Sequence, residues 1–216
     1  MAHRSIVVID DFYDNPEEIR RLALAQTFER HGNPTYPGGQ AEVPNYDWSP
    51  VWKRLRAEID EAVDYPCPKP QPFPQGMFRL ALAPDEQTRI DGIHQDAQRW
   101  SGVIYLARPE DCQGGVAFFR HRETGLVAST REFECALFGH LADRPTEEIN
   151  QAVIAYLADL RNWEEIQRVA MRYNRAVLLM GQCFHMSVGV FGDRKENGRL
   201  TQHFEFYGEN DGAVYG

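Results

Sequence analysis

The sequence predicts an α+β protein that is mainly β: a β-sandwich or closed jelly roll, preceded by flanking helices and interrupted by a helical insertion. Short apolar, β-branched runs broken by turn residues recur from Met77 to Tyr207. Two stretches with helical spacing precede them, and another, opening at Pro145, falls between strands. The 216 residues suffice for one domain, read as 1–216 with the insertion at about 145–172.

Ile6-Val7-Val8-Ile9 reads as a buried strand, since four apolar residues are too few for a signal peptide or a membrane span. Asn15-Pro16-Glu17-Glu18 starts a helix: Asn can cap, Pro suits the first turn, and acids suit the positive end of the dipole. A Gly/Pro-rich loop runs from Gly32 to Pro44, and Trp48, Val51, Trp52, Leu55 and Ile59 fit one helix face. The five prolines between Tyr65 and Pro74 make an irregular connector. Strands follow at Met77–Ala83, Gly102–Leu106 and Val116–Phe119, the last opened by Gly114-Gly115. The insertion comes next: one helix with a Val153, Ile154, Leu157 and Leu160 face, then a second from Asn162 to about Arg172. Strands resume at Ala176–Met180, Met186–Phe191 and Leu200–Tyr207, and a Gly-rich tail starts at Gly208. There is no internal repeat and no low-complexity tract.

A net charge of -9 makes nucleic acid a poor partner, because an acidic chain repels phosphate backbones. The four cysteines are widely spaced, with no C-x-x-C pair, which points to reduced thiols and a cytoplasmic setting. No membrane partner is expected.

His94-Gln95-Asp96 is a His-x-acid pair. On a strand, residues i and i+2 share a face, so both can meet one metal ion. Seven His and 32 acids produce about one such pair by chance, so the pair alone says little. His185, between two apolar strands, supplies a third ligand; two His and one carboxylate form a facial triad that leaves three positions open.

In chain order stand His94-x-Asp96, Tyr105-Leu106, Gly114-Gly115, His185 and Arg199-Leu200-Thr201. With the opening Ile9-Asp10-Asp11-Phe12, this succession resembles the prolyl-hydroxylase-like branch of the Fe(II)/2-oxoglutarate oxygenases; Phe118-Phe119-Arg120-His121-Arg122 looks like a small subgroup of it. The resemblance implies a double-stranded β-helix, cupin-like, with Fe(II) at His94, Asp96 and His185. It implies 2-oxoglutarate as cosubstrate, O₂ as oxidant and ascorbate as reductant. Arg199 and Thr201 would hold the far carboxylate of the cosubstrate, joined by Tyr105, with Arg194 as competitor for the arginine role. Arg199 stands 14 residues past His185, farther than in close relatives, and Ala83-Pro84 replaces a frequent Tyr-Pro. Halogenating relatives replace the carboxylate ligand with a small residue, so Asp96 argues for hydroxylation.

The expected substrate is a small molecule such as an amino acid or natural-product intermediate, with Arg120, Arg122 and Trp100 as contacts. A solvated basic strand end is the plainer reading of Arg120 and Arg122. The alternatives are a peptidyl or protein side-chain hydroxylase and a non-catalytic jelly-roll binding protein. The insertion would cover the site or form a homodimer contact.

Overall fold

The structure, a computed structural model, describes residues 4–30, 37–65, 67, 74–88 and 92–209. The expected Gly208 tail, the proline-rich connector and part of the Gly32–Pro44 loop lie largely outside the described residues.

Among the described residues, nine strands form two antiparallel sheets. They are β1 (Ile6–Ile9), β2 (Gly39–Ala41), β3 (Met77–Ala81), β4 (Trp100–Tyr105), β5 (Gly115–His121), β6 (Trp163–Ala170), β7 (Ala176–Met180), β8 (His185–Val188) and β9 (Arg199–Phe206). The larger sheet runs β1-β7-β4-β9-β3-β2 and the smaller β6-β5-β8. A single bridge from His94 to His185 continues the smaller sheet past β8. The result is a mainly β, α+β jelly roll.

Alternation decides which side chains meet. On β9, Leu200, Phe204 and Phe206 face a core shared with Phe12, from the segment after β1, and with Ile19 and Leu55 from the N-terminal helices α1 (Pro16–Leu24) and α2 (Ser49–Arg56). Arg199, Thr201, His203 and Glu205 alternate with them and face the space between the sheets. Tyr105, Val116, Phe118, Val177 and Leu179 form an apolar layer there. A third core, with Ala117, Phe119, Trp163 and Phe184, backs the smaller sheet and takes in Phe133 of α3 (Arg131–Phe138).

Local chemistry explains the ends of these elements. Asn15 caps α1, its side-chain oxygen accepting from the Glu18 N–H at 3.4 Å, with Pro16 at the first position. Gly114 and Gly115 have φ of +66° and +144°, and a Cβ on either would lie 1.9–2.0 Å from a carbonyl oxygen of β8 or β6. The expected glycine pair is thus what lets β5 enter between its two neighbours.

Three expectations need correction. The segment from Asn162 to Arg172 is not a helix: Trp163–Ala170 is edge strand β6. Between Phe118 and Phe119 the β5–β6 register slips past Ile166, and this bulge turns Trp163 and Val169 to opposite cores. The bulge erases the period-two pattern, and the exposed Glu164, Glu165 and Arg168 resemble a solvated helix while guarding a sheet edge. The helical insertion therefore begins and ends earlier than expected, with α3 and α4 (Thr146–Ala158) as its helices. The Gly32–Pro44 loop also contains β2, a strand of three residues paired with β3 and too short to show periodicity. Finally, His94 to Asp96 is extended but lies outside any regular strand.

Candidate metal centre

The segment carrying His94 and Asp96 is laced backbone-to-backbone onto the turn before β8. His94 and His185 exchange N–H···O bonds of 3.0 and 2.9 Å, Asp96 N–H donates to Gly181 O at 2.7 Å, and Gly181 N–H donates to Arg99 O at 3.0 Å. A Cβ on Gly181 would fall 1.9 Å from Gln98 O, so glycine permits the approach. Residues some ninety positions apart in sequence are thereby fixed side by side.

The side chains then converge. His94 Nε2 lies 3.9 Å from Asp96 Oδ1, and His185 Nε2 lies 3.5 Å from Asp96 Oδ2. One potential ligand atom from each of the three residues lies within 4.8 Å of the others. Each imidazole places Nδ1 against a backbone carbonyl, Gly92 O at 3.0 Å for His94 and Cys183 O at 2.8 Å for His185. A carbonyl oxygen can only accept, so Nδ1 carries the hydrogen; in the neutral ring Nε2 keeps its lone pair, aimed at the shared centre. Ser101, which follows the segment into β4, donates its hydroxyl hydrogen to Asp96 Oδ2, and Gln98 Nε2 donates to Ser101 Oγ at 2.7 Å.

Burial works against charge on Asp96, but His185, His94 and the Ser101 hydroxyl hold its carboxyl well below the usual carboxylate range. Burial likewise works against the His185 imidazolium, yet Asp96 and the Cys183 carbonyl raise its pKa overall. The pair is thus an acid-base couple whose proton a cation can displace. Two imidazole nitrogens and one carboxylate oxygen suit a divalent transition metal, and a cation with bonds near 2.1 Å holds neighbouring ligands about 3 Å apart. The observed separations reach that value with side-chain shifts of about an ångström, so the residues fit such an ion.

The cavity beside this cluster runs between the sheets. Arg199 lines it and is buried, 8% exposed; its Nη2 donates to Gly115 O on the facing sheet at 3.4 Å, and its guanidinium carbon lies 6.0 Å from the Tyr105 ring centroid. Tyr105 also lines the cavity, its hydroxyl pushed up to about 12 by burial. Thr201 is fully buried on the same strand face, its hydroxyl 2.8 Å from His203 Nε2. Burial, then Arg79 and Arg199, hold the His203 pKa well below the ordinary histidine value, so this ring is neutral. Arg194 is exposed and pairs with Asp193 at 3.1 Å, away from the cavity.

The three residues expected to touch substrate are not brought to the cavity. Arg120 and Arg122 are exposed, and Arg120 lies 3.5 Å from Glu164 on β6. Trp100 is buried on the opposite face of β4, where its Nε1 donates to Glu61 at 2.5 Å. Ser101, Gln98, Ser187 and Arg79 line the cavity without having been anticipated. For Arg79 a signal existed: it is a charged residue inside the apolar run Met77–Ala81, on the face opposite Phe78 and Leu80.

Among the described residues no helix is long and apolar enough to cross a membrane. No curated protein matches the chain. Among solved structures it is similar to HygX from Streptomyces hygroscopicus, crystallised with nickel and 2-oxoglutarate bound, at 15% identity over 95% of this chain and 83% of that one, with a TM-score of 0.44. A likeness of that size bears on neither activity nor ligands. The Family of unknown function (DUF6445) matches residues 1–206, nearly the whole chain, and the protein belongs to that family.

Proposed function

We propose that this protein is an Fe(II)- and 2-oxoglutarate-dependent dioxygenase of the prolyl-hydroxylase-like branch that hydroxylates a small molecule. The observation that carries the reading is the pair of imidazoles, each locked by a carbonyl at Nδ1 and each turning Nε2 toward one carboxylate, beside a cavity that also holds a buried guanidinium. His94, Asp96 and His185 would hold the iron and leave one side of it open. Bound Fe(II) and 2-oxoglutarate would supply the oxidising power, coupling O₂ reduction to decarboxylation, with ascorbate as an auxiliary reductant.

The chain's own residues do the positioning. Arg199 would offer two N–H donors to the far carboxylate of the cosubstrate. Thr201 and Tyr105, opposite each other in the β4–β9 register, would add hydroxyl groups to it. Ser101 and Gln98 orient the Asp96 carboxylate. An intact carboxylate at this position favours hydroxylation over halogenation, and a cavity between sheets favours a small substrate over a protein side chain. Free thiols at all four cysteines suit a reducing compartment.

The test is an anaerobic titration of the purified protein with Fe(II) and then 2-oxoglutarate. A weak visible charge-transfer band should develop at one equivalent of each and be lost in Asp96→Ala. A colourless solution at saturation would contradict the proposal. A succinate-release screen over amino acids and small carboxylates would then name the substrate.

A further inference from the structure

A threonine hydroxyl has one hydrogen to give, and in this structure the hydrogen of Thr201 already has a taker. Thr201 is fully buried, and among the described residues its hydroxyl has one hydrogen-bond partner, Nε2 of His203 at 2.8 Å. Were the ring to donate from Nε2, the hydroxyl hydrogen would be left buried with nothing to bind, which is costly. Thr201 therefore donates to Nε2. Burial, then Arg79 and Arg199, keep the ring neutral, so its one hydrogen sits on Nδ1.

That N–H opens on the cavity. Among the described residues, the cavity wall takes in His203 and not Thr201. Nδ1 has no hydrogen-bond partner among those residues, yet it is not sealed from solvent. Register sets its depth. Ser101, whose hydroxyl holds Asp96, stands opposite Glu205, Val103 opposite His203, and Tyr105 opposite Thr201. His203 is thus one two-residue step along β9, about 7 Å, from the level of the metal cluster, and Arg199 lies two such steps further on. A keto acid reaching from a cation at the cluster toward Arg199 passes this imidazole.

From these contacts we infer that His203 donates its Nδ1–H to a carboxylate oxygen of the cosubstrate. Thr201 is then the positioning residue behind it, fixing the tautomer of the ring without touching the ligand. The inference rests on the oxygenase reading above and revises the part of Thr201 in it: recognition passes from a hydroxyl hydrogen already in use to an imidazole N–H at the cavity wall. A neutral donor adds a hydrogen bond there without adding charge.

The experiment uses full-length protein with ¹⁵N-labelled histidine, loaded with Zn(II), which is redox-inert and diamagnetic, and then with 2-oxoglutarate. Long-range ¹H–¹⁵N correlations report which ring nitrogen carries hydrogen, and those of His203 are the ones missing from His203→Asn. With 2-oxoglutarate bound they should show a neutral ring with hydrogen on Nδ1, and in Thr201→Val that tautomer should lose its predominance. Calorimetry with 2-oxoglutarate gives the second readout. His203→Leu should weaken binding about ten- to hundredfold. His203→Asn, whose amide N–H stands where Nδ1 does, should keep most of the affinity, which also covers the case in which the leucine variant misfolds. Thr201→Val should weaken binding less, and added to His203→Leu it should cost less than about twofold more. Hydrogen on Nε2 in the ligand-bound wild type overturns the inference. So do affinity in His203→Leu within about twofold of wild type, losses that multiply in the double variant, and His203→Asn as weak as His203→Leu. Each of these leaves the oxygenase reading standing. Failure of the Zn(II)-loaded wild type to bind 2-oxoglutarate at all would defeat that reading first, and this inference with it.

Discussion

At the scale of single residues, the account depends on atoms that are held before any ion arrives. Asp96→Ala removes a ligand and should weaken metal affinity more than about a hundredfold, read by calorimetry. Ser101→Ala removes only the hydrogen bond that orients Asp96 and should cost about ten- to hundredfold. Similar losses in the two would mean that the carboxylate does not ligate. Arg199→Ala should raise the 2-oxoglutarate dissociation constant about ten- to hundredfold and Arg194→Ala should leave it unchanged, because Arg194 already pairs with Asp193 outside the cavity. The reverse order would transfer the role. Proton competition adds a further expectation. His185 has a raised pKa in the metal-free protein, so its pairing with Asp96 stabilises the fold at low pH and that contribution fades as pH rises through the raised value. A cation must displace the same proton, so affinity should tighten by about tenfold per pH unit below the His185 pKa and level off above it. A flat pH profile through neutrality would contradict displacement at this imidazole. The convergence of His94, Asp96 and His185 was legible in the sequence as residue types and order. The orienting Ser101 and Gln98 were not, since small polar residues at a strand start carry no periodic signal.

At the scale of elements, the site is made by one seam: the segment His94–Arg99 laid against the turn at Gly181. Gly181→Ala would press a methyl onto Gln98 O and should destabilise the protein by roughly 1–3 kcal/mol. It should also loosen metal binding, although residue 181 touches no ligand atom; unchanged metal affinity would show that the seam does not position the triad. Helix α3 braces the same segment, Glu134 accepting from Gln95 at 2.9 Å and from Ser129 at 2.8 Å. Helix α3 of the insertion thus reaches Gln95, between His94 and Asp96, a contact that no single-chain pattern announces. Strands β1 and β7 were readable as unbroken apolar runs, and β9 by the alternation of Leu200, Phe204 and Phe206 with polar residues. Strand β6 was not, because its bulge breaks the alternation and its charges lie at an edge. Helix α3 was overlooked even though Thr130 caps it, accepting from Phe133 N–H at 3.1 Å, since Phe133 is its only buried residue.

At the scale of the whole molecule, three cores stack in layers: N-terminal helices on the larger sheet, sheet on sheet, and α3 behind the smaller sheet. The middle layer contains both the apolar packing and the polar cavity, so filling the cavity should stabilise the folded state as a whole. A hundredfold excess of metal over its dissociation constant contributes about 2.7 kcal/mol, which for a chain of this size raises Tm by roughly 5–10 °C. The shift should vanish in a His94→Ala/His185→Ala double variant; an undiminished shift there would place the ion elsewhere. The central claim, that two imidazoles and one carboxylate share an ion, is tested most directly by anomalous diffraction at the iron edge from crystals grown anaerobically with Fe(II). The account predicts a single strong peak bounded by Nε2 of His94, Nε2 of His185 and a carboxylate oxygen of Asp96. An empty map at that point, with iron bound elsewhere or not at all, would contradict it.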